Sequence, residues 1–205
     1  MMPPDPAAAP GGPRTDAPSD TPSDETLMTA LAAGDSAALD TLMLRWQRPL
    51  QAYLLRHLGN EADALDLVQE TFVRLYRARA RYRPGARFTT WMFQIALNLA
   101  RDHARKRARR RTDSLEDAPS SAAGLASPGP APDLSARQAE EIEAVRAALA
   151  ALPDELREVL VLFEYEDLSH AEIAEIVGAS PKAVETRLYR AREKLRSSLT
   201  RWLKS

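Results

Sequence analysis

SPKAVETRLYRAREKLR, residues 180–196, is the stretch whose reading decides the fold. Val184, Leu188, Ala191 and Leu195 recur at spacings of four, three and four, one stripe of a 3.6-residue helix, whereas Lys182, Thr186, Tyr189 and Arg190 fall on the opposite face. The helix has a defined start. Ser180 is placed to accept free amide hydrogens as N-cap, and Pro181 suits the first helical position, where the donor it lacks would have had no partner. Just upstream, LSHAEIAEIVGAS holds a capping-box pair, Ser169 and Glu172, ahead of Ile173, Ala174, Ile176 and Val177, and Gly178 offers a place for the chain to turn. Two short helices joined by a tight turn, the second one basic, have the form of a helix-turn-helix, whose second helix enters the major groove of DNA. The competing reading is an αα-hairpin that only packs, with its arginines a solvated face.

Composition sets the frame for this motif. The chain has 205 residues, 44% of them hydrophobic, which suffices for two small cores. Its formal net charge of -1 conceals segments of opposite sign. Between residues 101 and 111 the basic side chains Arg101, Arg105, Lys106, Arg107, Arg109, Arg110 and Arg111 stand against Asp102 alone, and basic residues predominate again from Lys182 to Lys204. Acid gathers in the tail before Asp35 and between Glu140 and Asp167. The sequence contains no cysteine, so disulfides and thiolate metal sites are excluded and a reducing compartment is compatible. The N-terminus lacks a charged-then-apolar leader pattern, and no apolar run reaches membrane-spanning length. A cytoplasmic protein with no membrane insertion is the expectation.

Outward from the motif, the chain divides by pattern. Residues 1–24 are rich in Pro, Ala, Gly, Ser and Asp without aliphatic periodicity, and read as a disordered tail. Helical spacing begins at Thr26. Leu39, Leu42, Met43, Trp46, Leu50, Tyr53, Leu54 and Leu58 mark a first long helix with Pro49 inside it, and Asn60 with Asp63 caps a second carrying Leu65, Val68, Phe72 and Leu75 inward. YRPGARFTT interrupts the pattern, and a third helix runs through Trp91, Ile95 and Leu99 into the basic run. Residues 25–111 therefore read as a domain of three helices, 112–136 as a Pro/Ala/Ser-rich flexible linker, and 137–205 as a four-helix domain ending in the helix-turn-helix. No period-two alternation appears, so the fold class is all-α: two small helical domains.

Three stretches together, LDLVQETFVRLYR, FTTWMFQIALNLARDHARKR and the helix-turn-helix ending in VETRLYRAREKL, resemble regions 2 and 4 of bacterial RNA polymerase sigma factors of the extracytoplasmic-function (ECF) group. The resemblance covers nearly everything from Leu39 to Leu203 except the linker. It implies a protein that binds core RNA polymerase and directs promoter-specific initiation, reading minus-thirty-five and minus-ten elements and assisting melting. Leu65, Asp66, Gln69 and Glu70 are implied contacts to the clamp coiled coil of the polymerase's largest subunit; a plain solvated face is the alternative for the three polar ones. Arg83 to Thr89 resembles the loop that captures a flipped base, with Gly85 giving backbone access and Phe88 a stacking face. Trp91 lies near the junction of duplex and melted strand, and Asn98 matches a base-contacting asparagine. Phe88 and Trp91 equally fit core positions. The run beginning at Arg101 and Arg105 reads as a phosphate grip, or as a solvated helix end favoured by the helix dipole. In the last helix Ser180, Lys182, Glu185, Thr186, Tyr189 and Arg190 map to the minus-thirty-five surface, with Arg187 and Arg192 on phosphates. Glu185 departs from relatives in which a basic residue can occur, and a carboxylate there can accept from cytosine N4.

The resemblance also implies an anti-sigma factor as partner and a monomer when free. No cofactor or metal is expected. The linker acquires a reason: about 25 residues of random coil span only ~25 to 30 Å, two promoter elements lie ~60 to 70 Å apart, and a drawn-out chain reaches ~80 Å. Before DNA binds, the two domains are expected to be uncoupled or collapsed together. Among other function classes, an enzyme finds no support in three histidines, no cysteine and no Gly-rich phosphate loop. A stand-alone DNA-binding regulator leaves the LDLVQE and FTTW stretches without a task, and a helical adaptor that binds only proteins is told apart by the absence of salt-dependent DNA affinity.

Overall fold

The computed structural model describes residues 21–113 and 136–200, all helices, turns and connections, with no strand among them. Most of the expected tail and linker lies outside the described residues. In the first unit, α1 (Asp24–Ala32), α2 (Ala37–Leu58), α3 (Glu61–Ala78), a 3-10 turn (Arg79–Arg81) and α4 (Phe88–Asp113) surround one core. The second unit comprises α5 (Ala136–Ala150), α6 (Asp154–Tyr165), α7 (His170–Val177) and α8 (Pro181–Ser198).

Local chemistry sets the boundaries. Asn60 accepts from the Asp63 amide at 2.9 Å and starts α3, while Gly59, left-handed at φ 71°, has just ended α2. Pro49 sits within α2, which runs through it. Ser169 and Glu172 close a reciprocal capping box, Gly178 ends α7 at φ 71°, and Ser180 accepts from Ala183 at 3.2 Å with Pro181 following.

The first unit holds four helices rather than the three that spacing suggested. At nine residues α1 is too short to be stable alone, and docking holds it: Leu27, Met28 and Leu31 are buried, and Asp24 accepts from Arg45 at 2.7 Å and from the Trp46 indole at 2.9 Å. Its Glu25 carboxylate accepts from the Phe88 amide at 3.2 Å, so α1 also caps the start of α4. Tyr53 and Phe93, with ring centroids 5.0 Å apart near edge-on, fill the centre with Leu42, Leu50, Leu54 and Leu97.

The two units are packed together. α4 lies against α7 and α2 against α6, and the buried side chains of both units join one continuous cluster. Of the two arrangements expected in the absence of DNA, the structure shows the collapsed one.

Candidate nucleic-acid and polymerase interfaces

On α8, Val184, Leu188 and Ala191 are buried, which turns the opposite face outward. Lys182, Glu185, Thr186, Tyr189 and Arg190 are all exposed there, and Tyr189 keeps 68% of its surface in water, unusual for an aromatic side chain without a partner. Lys182 donates to Glu185 at 2.8 Å, and this bond holds the Glu185 carboxyl below its ordinary value, so at neutral pH it is an acceptor only. Ser180 is occupied with capping. Arg187 is paired with Glu155 at 3.3 Å, and Arg192 donates twice to Glu164, at 3.0 and 2.7 Å, with its guanidinium 5.1 Å from the Phe163 ring centre. Both flanking arginines are therefore oriented by α6 before any DNA arrives.

Around the start of α4 the structure separates the residues expected to meet melted DNA. Arg83 and Asn98 are exposed, Thr89 and Trp91 half-buried. Trp91 leans on Tyr82 with ring centroids 5.4 Å apart, and Tyr82 in turn donates to the Ala86 carbonyl, fixing the loop. Gly85 stands at φ 89°, where a side chain would strain the turn. Phe88 offers no stacking face. It has no exposed surface and packs 6.2 Å from Trp46, because the first residue of α4 points back under α1 and α2. Arg101 is likewise not a free phosphate grip here: its guanidinium forms a bidentate pair with Glu158 of α6, at 2.9 and 2.7 Å. Arg105 is paired with Asp102.

α3 is strongly two-faced. Leu65, expected inward from its spacing, is instead exposed, because Ala64, Leu67 and Val68 take the core side of that turn; Asp66 and Gln69 are exposed with it, and Glu70 is half-buried beside Arg74 at 2.9 Å. The outer face also carries Val73 and Tyr76, each about two-fifths exposed (41% and 40%). Leu65, Gln69, Val73 and Tyr76 follow at four, four and three residues and form one stripe. Sequence reasoning missed the last two; apolar side chains on the wet side of an otherwise well-segregated helix were the available signal.

Between the units lies a buried polar cluster. Glu158 is 3% exposed, and beside it Tyr53 Oη and His57 Nδ1 lack hydrogen-bond partners. Burial, reinforced by Arg157, lowers the His57 pKa to about 4, so the ring is neutral at pH 7. Burial also raises Glu166 to about 7 despite Arg56, which lies 4.0 Å away with its guanidinium over the Tyr165 ring. Among the described residues, no group of three or more His, Cys, Asp or Glu is placed to hold a metal, and no helix is long and apolar enough to cross a membrane.

Both helical units match known proteins. Residues 42–110 match the family model for Sigma-70 region 2, and residues 142–195 match that for Sigma-70, region 4. The chain is 34% identical over 180 residues to the RNA polymerase sigma-H factor of Pseudomonas aeruginosa, covering 86% of this chain and 93% of that one. It is 35% identical over 185 residues to the ECF RNA polymerase sigma factor SigE of Mycolicibacterium smegmatis, covering 88% of this chain and 70% of that one. The sigma factor RpoE from Bartonella quintana, solved in complex with the anti-sigma factor NepR, superposes with a TM-score of 0.67 at 25% identity, over 78% of this chain and 96% of that one. With two all-helical units that match regions 2 and 4 in order, this chain belongs to the ECF group of sigma-70 family RNA polymerase sigma factors, non-catalytic subunits that direct promoter-specific transcription initiation.

Proposed function

We propose that this sigma factor reads its minus-thirty-five element with Lys182, Glu185, Thr186, Tyr189 and Arg190, and seats Arg187 and Arg192 on the flanking phosphates. The observation that carries this reading is the outward face of α8, on which donors, an ionised acceptor and a 68% exposed tyrosine stand on a rigid, capped helix. Bidentate and single contacts from such side chains discriminate base edges, while the arginines fix register. Downstream, the loop Arg83 to Thr89 and the α4 residues Trp91 and Asn98 meet the melted minus-ten strand, with Gly85 permitting close approach of the backbone. The α3 stripe from Leu65 to Tyr76, with Asp66 and Glu70 beside it, docks on the clamp coiled coil of the polymerase's largest subunit. Similarity to a sigma factor solved with its anti-sigma factor supports an anti-sigma partner for this chain as well. Transcription in vitro by core polymerase and this protein across a promoter library tests the assignment. A selected pair of elements that responds to changes in α8 upstream and in the α4 loop downstream is expected; selection insensitive to α8 would refute it.

A further inference from the structure

Between the last two turns of α2 and the inner side of α5 lies a cavity of about 740 Å³ that none of the promoter or polymerase assignments uses, with Arg157 and Tyr165 of α6 also on its lining. Small-molecule sites have this size and are built as apolar walls with a few convergent polar groups. Both long helices line it with the same pattern. Ala52, Leu55, Arg56 and Gly59 follow one another at three, one and three residues, as do Ile142, Val145, Arg146 and Leu149, so each helix contributes one stripe and sets a guanidinium beside an aliphatic side chain. Part of this apolar wall is wet. Ile142 and Val145 each keep 37% of their surface in water, although Leu149 on the same stripe is buried at 6%.

The two guanidiniums give the cavity its charge. Arg56 stands over the Tyr165 ring, 4.0 Å from its centre, and its carboxylate partner Glu166 is also 4.0 Å away; Arg146 faces Glu143 at 3.7 Å. Both ion pairs are longer than a hydrogen bond, and neither guanidinium donates one within the described residues. Burial raises Glu166 to about 7, so at neutral pH it offsets only part of the Arg56 charge. Glu141, another lining residue, is taken by Arg137 at 3.1 Å. His57 and Arg157 complete the polar part of the lining, and His57 Nδ1 and Arg157 Nε are sealed from water without a partner, a cost that a ligand oxygen can recover. A guanidinium fixed over an aromatic ring with its donors uncommitted suits a carboxylate, which it can hold by two parallel N–H bonds.

We propose that this cavity binds an amphiphilic anion, a medium-chain carboxylate whose apolar body lies against Leu55, Leu58, Ile142 and Val145 and whose head is held by Arg56 and Arg146. No part of this rests on the promoter or clamp assignments. Calorimetric titration of the full chain with dodecanoate, below its micelle-forming concentration, should show one saturable site with a negative heat-capacity change, and the ligand should raise the melting temperature. Arg56→Gln with Arg146→Gln should weaken the affinity at least tenfold through the loss of charge-assisted contacts. Arg146→Gln alone reads the same loss in part should the double variant fail to fold. Val145→Trp, at a position open enough to take the larger ring, fills the cavity and should abolish uptake with helicity unchanged. Dodecyltrimethylammonium, the same chain with the opposite head, should not bind. Absence of a saturable dodecanoate site overturns the proposal, as does parental affinity in the arginine variants or in Val145→Trp. Equal uptake of the cationic chain also overturns it, by reducing the cavity to unspecific apolar surface. Phosphatidylglycerol vesicles separate a free ligand from a membrane: sedimentation of the parent with them, lost in Arg56→Gln with Arg146→Gln while free dodecanoate goes unbound, would replace the soluble ligand by a lipid surface.

Discussion

Phe88 separates two physical accounts of the minus-ten loop, and its substitution tells them apart. The ring has no exposed surface, packs against Trp46 at 6.2 Å, and heads the helix whose first amide is held by Glu25. Phe88→Ala deletes a fully buried ring and leaves a cavity that the surrounding helices fill only partly, at a cost of about 3 to 5 kcal/mol. That is a large share of the roughly 5 to 15 kcal/mol that holds a domain folded. At about 2 to 4 °C per kcal/mol for a structure of this size, melting should fall by roughly 6 to 20 °C. Phe88→Leu refills most of the space and should cost only about 1 to 2 kcal/mol. The assay pairs thermal unfolding by circular dichroism with open-complex formation on duplex and premelted templates, both below the variants' melting temperatures. A core role predicts that promoter opening follows stability, with Phe88→Leu close to the parent on both templates. If Phe88→Ala melted within about 2 °C of the parent yet failed on duplex DNA alone, the ring would belong to the DNA and its burial here would be wrong.

Asp66→Ala with Gln69→Ala should weaken binding to core polymerase by about tenfold with unchanged melting, since both side chains are exposed, and adding Tyr76→Ala should weaken it further; affinity equal to the parent would remove α3 from the docking surface. Glu185→Arg should switch a base preference rather than merely weaken binding, because a carboxylate accepts from cytosine N4 whereas arginine prefers guanine O6 and N7, a discrimination of about 1 to 3 kcal/mol. Transcription from a randomised upstream element reads it out, and an unaltered preference at every position would displace Glu185 from the bases. The third expectation concerns pH. Glu166 titrates at about 7 in the folded protein against an ordinary 4.5, so the stability it lends is complete below 4.5 and is lost as pH rises through 7. His57, lowered to about 4, acts oppositely, its contribution fading as pH falls from 6.5. Comparing Glu166→Gln with the parent cancels the histidine: in chemical denaturation the variant should gain on the parent as pH rises from about 4.5 to about 7 and keep that gain above it, and parallel pH profiles would refute the assignment.

Elements whose boundaries rest on neighbouring residues were legible in the sequence. Asn60, the Ser169 and Glu172 pair, and Ser180 with Pro181 all cap where their spacing placed them, and the stripe Val184, Leu188, Ala191 faces the core as the 3.6-residue period requires. Features that depend on distant partners were not. Glu25 caps α4 from 63 residues away, and Arg101 meets Glu158 from 57. Arg101 reads in sequence as the first member of a basic run, and only the approach of α6 shows it occupied. Phe88 was ambiguous for a related reason: an aromatic at a helix start suits a base or a core equally well until α1, whose short pattern carried little signal, is seen to close over it.

The carboxylates that hold Arg187 and Arg192 change how this protein should respond to ionic strength. A free arginine that settles on a phosphate displaces a condensed cation from DNA, and each such event adds about 0.9 to the salt exponent of binding. Here the arginine must leave Glu155 or Glu164, and the carboxylate it vacates recruits a cation of its own from solution. That uptake offsets part of the release. The C-terminal unit should therefore hold its upstream element with a flatter salt dependence than its count of basic side chains suggests, and Glu164→Gln should steepen it by liberating Arg192. An ion pair worth little to the fold would then act as a buffer, keeping promoter occupancy steadier as the ionic composition around the polymerase changes.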